Sequence, residues 1–259
     1  MSENKQLVKL ENIYMVYGEG PQRTTALDNI NLEVNKGEFI CVLGPSGCGK
    51  STLLKIIAGY QFPTKGKAFF QDKLIKGPDW HKGVVFQSPT LYPWLSVEEN
   101  ITFGPRVRGM DREKIKEKAD HILKQIDLSA EAGKSIFELS GGMKQRVALA
   151  RVLANEPEMI LMDEPLGALD ALTRLNMQGF IRNLWKENNN TVLMITHDVD
   201  EAMALGTRVV VMSKQPGRIL KEIELDYTFS AFQSDTHRIE MDKDYLKTKE
   251  EILDLISQY

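Results

Sequence analysis

The sequence predicts an α/β fold with three parts: a core of buried strands, an antiparallel β layer that precedes it, and a helical subdomain inserted within it. Continuous apolar runs indicate the core strands, and they occupy residues 38–43, 159–162 and 191–195. Apolar positions at helical spacing prevail over residues 88–155, which we expect to form the inserted subdomain. One domain is therefore predicted for residues 1–225, followed by a C-terminal extension over residues 226–259.

The composition is that of a globular chain with a substantial core. It has 259 residues, 42% of them hydrophobic, and a net charge of −3, so no basic field attracts nucleic acid and we expect no such partner. Its two cysteines, Cys41 and Cys48, favour a reducing compartment over a disulfide framework. Since we find neither an apolar leader nor a run of about 18 apolar residues, we expect a cytoplasmic protein that reaches a membrane through a partner.

Residues 7–43 alternate between apolar and polar positions as strands do, and the turn Asn35-Lys36-Gly37 leads into the last of these strands. This pattern predicts the antiparallel β layer. Tyr17 lies between two of the strands, where it is either a partly buried structural residue or a platform on which a flat ring stacks. The surrounding sequence leaves both interpretations open.

A glycine-rich loop follows the strand at residues 38–43 and leads into a helix that ends at Gly59. This is the context of the phosphate-binding pattern G-x-x-x-x-G-K-[ST]. The loop and first helical turn consist of Gly44, Pro45, Ser46, Gly47, Cys48, Gly49, Lys50, Ser51 and Thr52. Loop N–H groups and the helix dipole would hold phosphates, Lys50 would bridge the β- and γ-phosphates, and the Ser51 hydroxyl would hold Mg²⁺.

The alternative to a nucleotide site is a plain glycine-rich turn, but all four specifying positions and the flanking context are met. The loop therefore favours a nucleoside-triphosphate site, without choosing between an ATPase, a GTPase and a kinase. Because the thiol of Cys48 lies near Lys50 and a helix N-terminus, we also expect it to be open to alkylation.

A short strand at residues 83–86 ends at Gln87, and the loop after it carries large apolar side chains. The side chains of Leu91, Tyr92, Trp94 and Leu95 form either a local core or a surface that another chain covers. The sequence does not decide between these two interpretations for any single residue.

Helix starts are indicated at two places in the inserted subdomain. Asp111 is a candidate N-cap, with Glu113 in the first turn where the helix dipole favours an anion. Ser140 can cap a second helix that opens with Gly141 and Gly142. The start of this helix offers N–H groups that lack intrahelical acceptors.

Polar side chains follow two of the core strands. Asp163 and Glu164 are adjacent at one strand end, which in a chain with a phosphate loop indicates metal positioning by the first and general-base work by the second. His197 follows another strand, and a lone histidine in such a place is more often structural.

The C-terminal extension has two predicted parts. Residues 226–243 are predicted to be an irregular polar connection. From Asp244 to Tyr259 the apolar positions lie on one face of a helix, which we expect to pack on its own domain.

The segment at residues 139–146, LSGGMKQR, resembles the signature of the nucleotide-binding subunits of ABC transporters. The other motifs follow in this family's order and spacing up to about residue 225. The resemblance implies a P-loop NTPase core of the RecA-like type, with ATP and Mg²⁺ as cofactors. It assigns catalytic roles to Glu164, His197 and Gln87, and metal contacts to Ser51, Gln87 and Asp163. It assigns nucleotide contacts to Tyr17, the loop residues 44–52, Ser140, Gly141, Gly142 and Asp170, with Tyr17 stacking on adenine.

The same resemblance implies partners. The family works as a head-to-tail homodimer in which the signature of one chain completes the ATP site of the other. Transmembrane permease subunits would place the chain at the cytoplasmic face of the membrane, and an extracytoplasmic solute-binding protein would act indirectly. Tyr92-Pro93-Trp94 and Leu184-Trp185 are similar to importer ATPases for nitrate, taurine and alkanesulfonates, but such subunits do not touch the solute.

Two other functional classes compete with a transport subunit. An ATPase of this family that acts on DNA or ribosomes usually carries two cassettes, long inserts or a basic surface, and the sequence has none of these. A regulatory module that binds ATP without hydrolysing it is expected to lack Glu164 or His197. Because both residues are present, a hydrolysing transport subunit is favoured.

Overall fold

The computed structural model describes residues 6–233 and 241–257. The described residues up to Asp79 and from Asn189 onward form a first compact unit, and Trp80–Asn188 form a second unit. The second unit contains the predicted helical range 88–155 and extends beyond it on both sides.

The described part of the chain contains ten strands and eight α-helices. The strands are β1 (Gln6–Tyr17), β2 (Thr24–Asn35), β3 (Phe39–Leu43), β4 (Lys65–Phe70), β5 (Lys73–Leu74), β6 (Lys82–Val85), β7 (Met159–Asp163), β8 (Thr191–Ile195), β9 (Arg208–Met212) and β10 (Ile219–Glu224). The helices are α1 (Lys50–Ala58), α2 (Val97–Val107), α3 (Arg112–Gln125), α4 (Gly141–Leu153), α5 (Ala171–Asn188), α6 (Val199–Leu205), α7 (Tyr227–Gln233) and α8 (Lys243–Ser257).

The N-terminal strands of the first unit form an antiparallel sheet in the order β2-β1-β4-β5. Ile30, Leu32 and Val34 of β2 are buried at alternate positions, and β1 pairs with this strand over most of its length. Burial at every second residue is the pattern that the sequence displays, so the predicted antiparallel β layer is confirmed.

The rest of the first unit is built on parallel strands. β3 lies between β8 and β9 and runs parallel to both, and β10 pairs antiparallel with β9. Every residue of β3 and β8 is buried, as expected for strands covered on both faces. This arrangement confirms the α/β class. Because β3 and β8 run parallel, the segments that follow them leave the sheet at the same edge.

The second unit pairs β6 with β7 in parallel and packs its helices around a separate apolar core. Residues from α2, α3 and α4 meet there, including Ile101, Ile122 and Val147. The side chain of Asp111 accepts hydrogen bonds from the backbone N–H groups of Glu113 and Lys114, so the predicted cap is confirmed.

The C-terminal extension differs from its prediction in one segment. Residues 226–243 were expected to be irregular, but Tyr227–Gln233 form the helix α7. The reason is tertiary: α7 packs on α6, and Thr228 is fully buried. The final helix α8 is present with Ile252 buried, while Tyr259, predicted on its apolar face, lies outside the described residues.

Candidate active site

The predicted phosphate loop joins β3 to α1 and encloses a buried cation. Lys50, the first residue of α1, is 6% exposed, and its ammonium donates hydrogen bonds to the carbonyls of Gly44 at 2.7 Å and Pro45 at 3.0 Å. Gly49 has φ 97°, and a Cβ there would come within 2.8 Å of the Ala26 carbonyl. The backbone therefore requires glycine where the loop turns into the helix.

The remaining loop positions divide by exposure. Ser46 and Gly47 are exposed at the tip, whereas Ser51 and Thr52 are half-buried in the first turn of α1. An exposed loop tip, a buried ammonium and a helix N-terminus together fit the phosphate chain of a nucleotide.

Cys48 corrects one expectation about this loop. Its side chain is 1% exposed and its sulfur lies 3.8 Å from the Lys50 ammonium, so the thiol faces the interior beneath the loop. The expectation that this thiol is readily alkylated is wrong, because reaction requires access as well as a nearby positive charge.

Tyr17 contacts the first turn of α1. Its hydroxyl lies 3.2 Å from Thr52 Oγ1 and donates a hydrogen bond to Gln61 Oε1 at 2.9 Å, while the whole residue is 40% exposed. The structure thus places the predicted aromatic side chain beside the phosphate loop. Gln61 is a supporting residue that the sequence does not reveal, since nothing local indicates that a polar residue 44 positions away fixes the tyrosine.

His197 is exposed and follows β8 by two residues. The backbone N–H of Thr196 donates to the Val42 carbonyl of β3 at 3.3 Å, which ties the residue before the histidine to the strand that feeds the loop. His197 and the phosphate loop therefore both leave the carboxyl ends of neighbouring parallel strands, the edge at which α/β proteins bind ligands.

In the second unit, Gln87 and Glu164 converge. β6 and β7 run parallel with Val85 opposite Met162, and the two candidate residues follow their ends. An ideal Cβ on Gly167 would lie 3.7 Å from both Gln87 Nε2 and Glu164 Oε2. Glu164 has φ 45°, a left-handed conformation that is uncommon for a residue with a side chain and gathers at functional sites.

The signature segment starts α4. The hydroxyl of Ser140 accepts a hydrogen bond from the backbone N–H of Met143 at 3.3 Å, so this predicted cap is confirmed. Ser140 and Gly141 are exposed, and a Cβ on Gly142 would come within 2.7 Å of Thr173 Cγ2. The helix start is therefore accessible to a second molecule.

Asp170 has a structural role in the second unit. Its carboxylate accepts a hydrogen bond from the backbone N–H of Thr173 at 3.1 Å, at the start of α5. Hydrogen bonds from Thr173 hold the pKa of Asp170 below its usual value. The capping contact keeps the carboxylate ionised and fixed.

The predicted metal-binding side chains carry the right atoms for Mg²⁺. Ser51, Gln87 and Asp163 offer a hydroxyl, an amide and a carboxylate, which are the hard oxygen donors that this ion prefers. Among the described residues, no group of three His, Cys, Asp or Glu side chains could hold a metal ion by itself.

The candidate residues thus form two sets, one in each unit. The first unit holds the phosphate loop, Tyr17 and His197, and the second holds Gln87, the signature segment, Asp163, Glu164 and Asp170. In the part of the chain that the structure describes, no helix is both long enough and apolar enough to cross a bilayer.

Comparison with known proteins gives concordant matches. The family model "ABC transporter" matches residues 27–167. The taurine import ATP-binding protein TauB of Ruegeria pomeroyi is 46% identical over 250 residues, covering 96% of this chain and 93% of that protein. A dimeric ATP-binding cassette solved in a post-hydrolysis state with ADP and Pi is 33% identical, with a TM-score of 0.73 and coverage of 85% of this chain and 99% of its own.

A second solved structure is also similar. It is cbiO1 of Clostridium perfringens, part of the ABC transporter complex cbiONQ, which is 29% identical with a TM-score of 0.78 over 87% of this chain and 91% of its own. The family model covers more than half of this chain, and the taurine import relative aligns with nearly all of it. Together with the phosphate loop and the signature helix, these matches show that the chain belongs to the ABC transporter family as an ATP-hydrolysing cassette.

Proposed function

We propose that this cassette hydrolyses ATP as a homodimer at the cytoplasmic face of the membrane and drives uptake of a small anion, of the taurine or sulfonate type, through a separate permease. The observation that carries the catalytic part is the convergence of Gln87 and Glu164 at the ends of two parallel strands. The cargo class is supported by relatives named for taurine import, such as the protein of Ruegeria pomeroyi.

The chain's own residues divide the work on ATP. The hydroxyl of Tyr17 contacts Thr52 and Gln61, and its ring stacks on the adenine. The loop N–H groups and Lys50 hold the phosphates. Ser51, Gln87 and Asp163 would hold Mg²⁺, which supplies charge neutralisation at the phosphates when it is bound.

Glu164 is the proposed general base. Its carboxylate takes a proton from the attacking water as the water oxygen bonds to the γ-phosphorus. The bond from that phosphorus to the bridging oxygen breaks, and ADP leaves with the electron pair. His197 contacts the γ-phosphate and stabilises the charge that it develops.

The signature of a second copy supplies the remaining donors. Ser140 and Gly142 stand at an accessible helix start, whose N–H groups suit a phosphate. Asp170, fixed by Thr173, belongs to the same proposed dimer contact. Hydrolysis therefore requires two ATP-bound chains.

The permease would contact the loop after Gln87. Leu91 is buried in the apolar core of the second unit. The ring of Tyr92 packs on that of Phe103, with the two ring centroids 4.5 Å apart. Leu91 and Tyr92 therefore belong to the chain's own interior. Trp94 differs, because it is 74% exposed beside Tyr92. We assign Trp94 to the permease contact, since large aromatic residues dominate interface energies.

The test is transport in proteoliposomes that hold this chain together with its permease and a solute-binding protein. We expect ATP hydrolysis to rise when taurine or an alkanesulfonate is supplied with the binding protein, and labelled solute to accumulate. Complexes with Glu164→Gln should bind ATP, but their proteoliposomes should accumulate no labelled solute. Hydrolysis that no taurine, sulfonate or nitrate stimulates would contradict the proposed cargo class, and accumulation by the Glu164→Gln complex would contradict the ATP-driven mechanism.

A further inference from the structure

The C-terminal helix α8 is fastened to α6 through one carboxylate. Asp200, in the first turn of α6, accepts a hydrogen bond from the Tyr245 hydroxyl at 3.0 Å, and its carboxylate lies 2.7 Å from the Lys249 ammonium. Tyr245 and Lys249 are four residues apart and share one face of α8. We call Asp200, Tyr245 and Lys249 the Asp200 clamp.

The clamp is partly shielded from water and reinforced by α7. Tyr245 is 2% exposed, and its ring stands edge-on to that of Tyr227 with centroids 5.2 Å apart. The hydroxyl of Tyr227 lies 3.1 Å from that of Thr248. Burial, with a further contribution from Asp200, raises the pKa of Tyr245, so the phenol stays protonated and donates. The ion pair is more open than the phenol, since the side chains of Lys249 and Asp200 are 31% and 48% exposed.

The helix that receives the clamp begins directly after the proposed catalytic histidine. α6 has seven residues, which is far below the length at which an isolated helix is stable, so its position depends on tertiary contacts. Asp198 caps it by accepting from the Glu201 N–H at 3.1 Å, and the Asp198 N–H donates to Thr196 Oγ1 at 3.1 Å. Thr196 is in turn bonded to β3.

His197 therefore lies between an anchor on β3 and the cap of α6. Because the residues on both sides of His197 are held by these hydrogen bonds, a shift of the α6 cap would move the backbone of the histidine. Asp200 stands three positions beyond His197, within the first turn of the same short helix. The Asp200 clamp thus holds the turn of α6 that directly follows His197.

We propose that the Asp200 clamp positions His197 for hydrolysis, so that the C-terminal extension controls the turnover of the ATP site. The inference rests on the proposed contact of His197 with the γ-phosphate. Asp200, Tyr245 and Lys249 are positioning residues, since they act through His197. Displacing a catalytic group by even 1 Å lowers turnover by up to about 100-fold without removing the group.

The experiment compares two ways of loosening α8 in the purified full-length chain. Lys249→Gln and Tyr245→Phe each remove one bond of the clamp. Glu251→Gln is the matched control, because it breaks the ion pair with Lys221 that fastens the same helix to β10. We expect the clamp variants to lower kcat by about three- to tenfold with an unchanged Kd for a fluorescent ATP analogue. The control and Lys249→Arg, which retains a cation, should keep the parental kcat.

A double-mutant cycle separates positioning from general destabilisation. If the clamp acts through His197, Lys249→Gln adds no further loss in single-turnover hydrolysis when His197→Ala is already present. If the effects of His197→Ala and Lys249→Gln on the hydrolysis rate are fully additive, the proposal is wrong. It is also wrong if Glu251→Gln and Lys249→Gln lower kcat equally. If His197→Ala lowers kcat and Lys249→Gln does not, the positioning role fails while the proposed function stands. If His197→Ala leaves kcat unchanged, the catalytic role of His197 itself fails.

Discussion

Two helix starts in this chain carry the same chemistry for phosphate in different surroundings. At α1, Lys50 and Cys48 are buried, and Gly49 is enclosed by the backbone of Ala26. At α4, Ser140 and Gly141 are exposed, and the Ser140 hydroxyl caps the helix. The difference fits the proposed mechanism, in which the start of α1 holds the phosphates within one chain and the exposed start of α4 adds donors to the site of a second copy. Binding and turnover should therefore respond separately to substitution.

The largest expected effect separates turnover from binding at Glu164. Glu164→Gln preserves the size of the side chain and removes the base, so kcat should fall by about 10²- to 10⁴-fold. The phosphate loop is untouched, so ATP affinity measured by fluorescence titration should stay near the parental value, and a dimer should accumulate with ATP in size-exclusion chromatography. Lys50→Ala is the control, since it should lose ATP binding. Near-normal hydrolysis by Glu164→Gln would remove Glu164 from its role.

The next effect concerns the exposed start of α4. Mixed dimers that carry Ser140→Arg in one chain and Lys50→Ala in the other keep one site with both proper halves, so ATP binding should persist at that site. Dimers that carry both substitutions in the same chain have a defect in each site and serve as the matched control. Equilibrium dialysis with labelled ATP compares the two arrangements. Equal binding in both would show that each chain is self-sufficient.

A smaller effect is expected at the surface of the second unit. Trp94→Ala should leave the melting temperature nearly unchanged, because the residue is mostly exposed, but should weaken co-purification with the permease several-fold. Leu91→Ala is the contrasting variant and should cost about 2–5 kcal/mol of unfolding free energy because Leu91 is a buried core residue. If Trp94→Ala and Leu91→Ala lower the melting temperature equally, Trp94 packs in the interior and is not a contact for the permease.

The smallest effect is expected at Cys48. Maleimide should label the nucleotide-free chain slowly, because both cysteines are buried, and ATPase activity should survive the treatment. Labelling after denaturation in urea gives the full reaction of both thiols for comparison. Rapid inactivation that Cys48→Ala abolishes would show that the loop opens to expose this thiol.

What the sequence predicts well is what neighbouring residues determine. The caps at Asp111 and Ser140 and the strand–loop–helix around Lys50 depend on local spacing, and the structure has all of them. The matches that establish the family also follow the order of such local motifs.

What the sequence does not predict depends on distant contacts or on side-chain direction. α7 is helical because it packs on α6, and its short sequence YTFSAFQ does not by itself indicate a helix. The support of Tyr17 by Gln61 crosses 44 positions, and the phosphate-loop pattern does not say whether residue 48 points outward or inward. The left-handed backbone of Glu164 has no sequence signal, because glutamate does not favour that conformation.

The left-handed backbone of Glu164 sets folding stability against the activity proposed for this residue. A left-handed conformation costs a residue with a side chain roughly 1–2 kcal/mol, and asparagine tolerates it better than glutamate does. Replacement by asparagine would therefore relieve the backbone while withdrawing the carboxylate. If variants of this chain were selected for heat resistance alone, with no test of turnover, we expect replacements of Glu164 that remove the proposed base to be enriched. Screens for more heat-stable variants of this chain should therefore measure ATP hydrolysis whenever Glu164 is replaced.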